Sequence, residues 1–186
     1  MISLGMRYAA KAAAVTPRNY ATKRNMEDSM NLSQGVWSVV PSTVAISEGN
    51  FGNVDSLLLA QSASAFTVTW SNNGGAYIGL TAKGTEIMLS DRDKVWIVLY
   101  NVEKNQTSIP VGGYCFRDDA TATINRPSSW AAGDHVHAYV FTMADEVYKY
   151  NTTPETMSDA EISKAKEYIE QGYAFSDTMN ANVTLT

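Results

Sequence analysis

The sequence predicts a mainly β protein: an antiparallel immunoglobulin-like β-sandwich with an N-terminal helical arm and one inserted helix. Three observations point there. Short runs of residues alternate apolar and polar side chains, the period of a strand buried on one face. Turn-forming residues punctuate those runs. Strands and helices do not follow one another in the βαβ order that a parallel nucleotide-binding sheet requires. The expected division is a helical arm and connector over 1–42, then a sandwich over 43–186 carrying a helical insertion at 144–172.

Residues 1–31 read as helical. Ala9, Ala10, Ala12, Ala13 and Ala14 are strong helix formers, and Thr16-Pro17 has the form of an N-cap followed by proline at the first helical position. A second helix would run from there to about Met30, and residues 32–42 read as a connector ending at Pro41. Val44 and Ile46 alternate with Thr43, Ala45 and Ser47, which suggests a strand. Phe66, Val68 and Trp70 alternate with Thr67, Thr69 and Ser71, a half-buried strand that runs into the turn residues Asn72-Asn73-Gly74-Gly75. Lys94–Tyr100 is apolar on both faces, as a central strand is, and Asp91-Arg92-Asp93 would be the turn feeding it.

Further on, Thr107–Phe116 reads as a strand interrupted by Pro110 and Gly112-Gly113. Ala120–Asn125 is a short alternating strand. Asp134–Met143 sets Val136, Ala138 and Val140 on one face and His135, His137, Tyr139 and Phe141 on the other. Ser158-Asp159-Ala160-Glu161 is a capping box, followed by Ile162, Ala165, Tyr168 and Ile169 at helical spacing and by Gly172 as a stop. Tyr173–Thr186 holds one or two last strands.

Composition bounds the function. At 186 residues the chain can bury about 70% of its unfolded surface, so it needs no disulfide or metal to hold a core. Hydrophobic residues make up 45% and charged residues 18%, a globular balance. The net charge of −5 disfavours a general nucleic-acid binder. No run approaches the roughly 18 apolar residues of a membrane span. Arg7 and Lys11 interrupt any signal-peptide core, so the expected compartment is the cytoplasm before assembly. Charge is uneven. The first 26 residues carry Arg7, Lys11, Arg18, Lys23 and Arg24 and no acid, leaving nine basic against 19 acidic side chains elsewhere. These five are the candidate docking arm for an acidic partner, set against the plainer role of a solvated helix face.

Few residues suggest chemistry. His135 and His137 share a strand face and could begin a zinc or copper site, with Cys115, Asp118 or Asp119 as third ligand. The plainer reading puts both in a half-exposed aromatic face with Tyr139 and Phe141. Asp91 and Asp93 have a calcium-like spacing but lack a full ligand loop, so turn formation is the stronger reading. Cys115 could act as a nucleophile with His135 or His137 as base; its neighbours Tyr114 and Phe116 suggest a buried, inert thiol instead. Trp37, Trp70, Trp96 and Trp130 read as core and rim, while outward tyrosines such as Tyr77, Tyr100 and Tyr139 would suit a sugar or protein contact.

The order of motifs resembles an uncharacterised family widespread in Bacteroidetes genomes, a domain of unknown function. The likeness rests on Thr16-Pro17-Arg18-Asn19, Asn25-Met26, Phe66 to Asn73, Asp93-Lys94-Val95, Val98-Leu99-Tyr100-Asn101, Arg117, Trp130, Gly133-Asp134 and Val136 to Phe141. It covers most of residues 6–143 and resumes weakly near Ser176-Asp177-Thr178. Two features depart from it: the family's glycine-rich N-terminal segment is missing, and residues 144–172 replace a short hairpin. The resemblance implies an N-terminal helical segment and a C-terminal sandwich, and it supplies no catalytic residues.

The expected function is therefore a non-enzymatic structural or assembly protein acting through protein–protein contacts. Phage virions (capsid decoration, head fibre or tail) and surface assemblies are suitable settings, with itself and neighbouring subunits as partners. Nucleic acid, a membrane span and a cofactor are not expected. A carbohydrate-binding module is the first alternative, and a small metal-dependent enzyme built on His135 and His137 the second.

Overall fold

A computed structural model describes residues 25–26, 28–33, 36–71, 78–80 and 86–186. These form a mainly β structure of antiparallel sheets with two α-helices. The strands are β1 (Met30–Ser33), β2 (Val36–Val39), β3 (Asp55–Gln61), β4 (Ala65–Ser71), β5 (Ile78–Leu80), β6 (Glu86–Met88), β7 (Lys94–Asn101), β8 (Gln106–Ser108), β9 (Cys115–Phe116), β10 (Thr121–Asn125), β11 (His135–Met143) and β12 (Met179–Thr184). The helices α1 (Asp145–Thr152) and α2 (Asp159–Glu170) lie between β11 and β12. One sheet has the order β10-β4-β3. A larger one has the order β12-β11-β7-β8, with β9 also pairing with β7. The pairs β1-β2 and β5-β6 are separate hairpins.

Two apolar clusters explain the layering. The first lies between the main sheets. Phe66, Val68 and Trp70 of β4 and Ala122 and Ile124 of β10 meet Val95, Ile97 and Leu99 of β7 and Val136, Ala138 and Val140 of β11, with Trp130 and Leu185. The second covers the other face of the larger sheet. There Phe141, Met143, Ala144 and Val147 pack with Phe51, Leu89, Tyr168, Tyr173, Ala174 and Phe175, and Trp96 lies against them. Strands β7 and β11 are thus sandwiched from both sides, which is why Lys94–Tyr100 reads as apolar on both faces.

Several expectations hold. The β4 run buries every second side chain, and the β7 run is central in its sheet. Pro110 and Gly112-Gly113 split their strand into β8 and β9, and both halves still pair with β7. The capping box of α2 is formed: the Glu161 amide donates to the Ser158 hydroxyl, and the Glu161 carboxylate accepts from the Ser158 amide. Gly172 takes φ +78° at its end, where a side chain would be strained.

Others need correction. Helix stops at Asp28, and Met30 already opens β1, so Met30–Ser33 and Val36–Val39 pair as antiparallel strands where helix and connector were expected. Residues 44–47 are not a strand. Their backbone is satisfied by side chains: the Ala45 amide donates to Asn25 Oδ1, and the Ile46 and Ser47 amides donate to Thr178 Oγ1. The strand in that part of the chain is β3, where the Leu57-Leu58-Leu59 run hides the alternation and a bulge at Ser56, φ +49°, shifts the register. The insertion holds two helices rather than one. The expected helices before residue 25, the turn at Asn72–Gly75 and Tyr77 lie outside the described residues.

One close approach fixes how the 49–53 segment lies on the body. The Phe51 amide donates to the Phe175 carbonyl, and Asn50 bridges Ser176. A Cβ on Gly49 would run into that same Phe175 carbonyl. Gly49→Ala is expected to cost about 1–3 kcal/mol in urea unfolding, as overpacking against fixed backbone does; unchanged stability would contradict this placement.

Candidate functional site

The structure separates the residues that chemistry would have to combine. His135 is exposed, and its ring Nδ1 lies 2.6 Å from Glu103 Oε1. The Glu103 carboxylate also accepts from the His135 amide, and these bonds hold it below the usual glutamate range. His137 is buried, with Nδ1 3.2 Å from Asn180 Oδ1 and its ring stacked on Tyr139. The aromatic face expected to be half exposed is therefore mostly covered, with only His135 open. Cys115 faces Val95, which pairs with Thr142, so the thiol lies seven residues along the sheet from His135 and five from His137. At the rise of a strand these are about 24 Å and 17 Å, too far for a shared metal or a proton transfer. Asp118 and Asp119 follow Cys115 at that far end, and Asp119 accepts from the Phe116 amide. Burial, then Asp119, push the Cys115 thiol up, away from the thiolate form that a nucleophile needs. Among the described residues no three His, Cys, Asp or Glu side chains gather as a metal site. The basic residues Arg7, Lys11, Arg18, Lys23 and Arg24 lie outside the described residues.

What the fold does bring together is a buried ion cluster. Asp93 immediately precedes β7 and Lys94 opens it; Arg117 lies in a 3-10 turn after β9; Asp145 opens α1. All four are buried. The Asp93 carboxylate accepts from Arg117 Nε at 3.2 Å, from the Ser90 amide at 2.9 Å and from the Asp145 amide at 3.1 Å. Arg117 also donates to the carbonyls of Asn53 and Gly52, at 3.0 and 2.7 Å. Lys94 Nζ donates to Asp145 Oδ1 at 2.7 Å and to the Arg92 carbonyl at 2.8 Å. The rings of Phe116, Tyr148 and Tyr114 surround this ammonium at 4.5, 4.9 and 5.4 Å. On the other oxygen of Asp145, Lys149 Nζ lies at 2.7 Å. Asp91 stays exposed and acts only in the turn, its carbonyl accepting from the Asp118 amide.

The electrostatics follow from burial. Burial pushes the Asp93 carboxyl up to about 6, against the opposing pull of Arg117 and two backbone amides. Asp145 feels the same burial, yet hydrogen bonds from Lys149 and Lys94 hold it below the usual aspartate value. The cluster joins four segments distant in sequence: β7, the turn after β9, the 52–53 strip and the head of α1. No local sequence pattern announces it, because the partners are 24 and 51 residues apart. The one available signal was the resemblance, whose motifs include Asp93-Lys94 and Arg117.

A second set of fasteners uses the same logic. Asn101 Nδ2 donates to Asp134 Oδ2 at 2.8 Å, and the Ala131 amide donates to the same oxygen at 3.0 Å. The Ala131 bond, then Asn101, hold Asp134 below its ordinary value. Tyr139, expected to point outward, is buried and donates its hydroxyl to the Pro41 carbonyl at 2.7 Å. Tyr100 is half-buried and donates to Asn105 Oδ1.

The accessible surface shows a different feature. Residues 29–47 contain no charged side chain. Within that stretch the β1-β2 register, Met30 opposite Val39 and Leu32 opposite Trp37, sets these four positions on one face. Leu32 is 52% exposed and Val39 55%. Sequence reading passed over the hairpin although Gln34-Gly35 separates two short alternating runs. A second apolar spot lies between β8 and β9, where Val111 is 90% exposed and Ile109 50%. No helix among the described residues is long and apolar enough to cross a membrane. Comparison with family models, curated proteins and solved structures finds no match.

Proposed function

We propose that the protein is a non-enzymatic assembly subunit, an immunoglobulin-like sandwich that works by fitting against copies of itself and against neighbouring proteins. The observation that carries this reading is the uncharged hairpin. Strand edges that must stay alone usually carry charge, proline or a bulge, and β1 and β2 carry none of the charge. Two copies of an acidic chain repel each other over most of their surface, so a neutral apolar face is where they meet with least opposition. The basic run Arg7, Lys11, Arg18, Lys23 and Arg24 precedes the hairpin in sequence and supplies a complementary charge for an acidic neighbour.

Strand order supports the finer description of the fold. Counting β3, β4, β7, β8, β10, β11 and β12 as one to seven, the sheets run 5-2-1 and 7-6-3-4. Immunoglobulin constant domains also place strands one, two and five in one sheet and three, six and seven in the other; only the fourth differs. Membership of the Bacteroidetes family belongs to the same reading. Asn25, Asp93, Lys94, Arg117, Asn101, Asp134 and Thr178, which lie in the resembling motifs, are the side chains that fasten separate segments together. A shared framework needs those positions whatever each member binds.

The test is association. Light scattering of the purified chain at micromolar concentration is expected to show an oligomer, and Leu32→Glu with Val39→Lys is expected to return it to monomer. Both side chains are exposed, so folding should hold within about 0.5 kcal/mol. A wild-type chain that stays monomeric alone, and is not found in purified virions or surface assemblies, would reject the reading.

A further inference from the structure

We infer that Lys94 and Asp145 condense into an intramolecular amide, a covalent cross-link between the first residue of β7 and the first residue of α1. The inference does not depend on any partner. Three features single out this pair. First, it is an amine–carboxyl pair with both partners out of water, at 3% and 8% side-chain exposure. In the other described lysine pairs the lysine is exposed: Lys104 at 37%, Lys149 at 37% and Lys164 at 41%. Arg117 is buried, but a guanidinium keeps its proton and is no nucleophile. Second, Nζ already lies 2.7 Å from the carboxylate, held from behind by the Arg92 carbonyl. Fixing two reactants at hydrogen-bond distance can replace about 10⁵–10⁸ M of free reactant. Third, Phe116, Tyr148 and Tyr114 enclose the amine in rings, which excludes the bulk water that drives hydrolysis.

Each oxygen of Asp145 faces its own lysine, and that assigns the roles. Lys94 passes one proton from Nζ to Oδ1, leaving a neutral amine beside a carboxylic acid. The free electron pair on Nζ forms a bond to Cγ, and negative charge moves onto Oδ2. The Lys149 ammonium, 2.7 Å from Oδ2, stabilises that charge without losing its proton. A second proton then goes from Nζ to Oδ1, the Cγ–Oδ1 bond breaks, and water leaves as the Cγ–Oδ2 double bond re-forms. The ion pair becomes an amide plus one water, with no oxidant or co-reactant. Burial favours the neutral product, since it removes two charges from the interior.

Intact-mass spectrometry of the denatured full chain tests this directly. The wild type is expected to be lighter than its sequence by one water, and its digest to contain a branched peptide joining Lys94 to Asp145. Lys94→Arg keeps the ion pair and the fold but should sit at full sequence mass. Asp145→Asn should form the same link with loss of ammonia instead. Lys149→Met should leave a larger uncross-linked fraction after equal incubation. A folded wild-type chain, verified by circular dichroism, that remains at full sequence mass after days near neutral pH would overturn the inference.

Discussion

Replacing Arg117 with alanine is expected to lower the stability of the chain by about 3–5 kcal/mol, the cost of breaking a buried ion pair from one side. The guanidinium is 4% exposed and its partner Asp93 1%. Without it the Asp93 carboxylate is left in the interior with only the Ser90 and Asp145 amides. The Asn53 carbonyl loses the Arg117 donor and the Gly52 carbonyl keeps only the Thr142 hydroxyl, so the 52–53 strip loses its tie to the turn after β9. Urea unfolding of the variant should show a large fall in midpoint or no folded baseline at all. Arg117→Met paired with Asp93→Leu should recover part of the loss, because an apolar pair needs no solvation. Loss below about 1 kcal/mol in the single variant would mean that the cluster does not bear on the fold.

The second large effect is a dependence on pH with an unusual sign. Most buried carboxylates in ion pairs stabilise a protein as pH rises. Asp93 does the reverse, because its folded value of about 6 lies above the 3.8 of an ordinary aspartate. Between those values the folded chain holds a proton that the unfolded chain has lost, so stability falls as pH rises through the window. Below it the contribution is absent; above it the cost is complete, at about 3 kcal/mol. Asp93→Asn cannot titrate. The stability of the wild type relative to this variant should therefore drop by that amount between pH 3 and pH 8, measured by urea unfolding at each. Parallel curves would place the Asp93 carboxyl at its ordinary value. If Asp145 is in an amide it no longer titrates, and the trend belongs to Asp93 with less interference.

The two effects share a cause. Charges have been placed where solvation is poor, and each is held by a partner from another segment. Such an arrangement is a weak source of net stability but a strong condition on geometry, since any register that separates the partners leaves a bare charge in the core. The apolar hairpin and the Ile109–Val111 turn are the opposite kind of feature: exposed, uncharged and free to be covered.

Local chemistry determined much of this protein without help from the rest of the chain. Strands β4, β10 and β11 follow from alternation, because successive strand side chains must point to opposite faces, and β7 follows from a run apolar on both faces. The start of α2 follows from Ser158 and Glu161, because a cap satisfies its own helix end. Where a second element supplies the partner, sequence was silent or misleading. Residues 44–47 alternate like a strand, yet Asn25 and Thr178 take their amides. Helix α1 has no polar cap at Ala144 and is rich in residues that favour strands; it stands because Ala144 and Val147 are buried in the second core and Asp145 meets Lys94. Tyr139 alternates outward, but Pro41 arrives to cover it. The ion cluster belongs wholly to this second class. Opposite charges far apart along a chain carry no mark of their pairing, and only the folded path decides which of them leave water together.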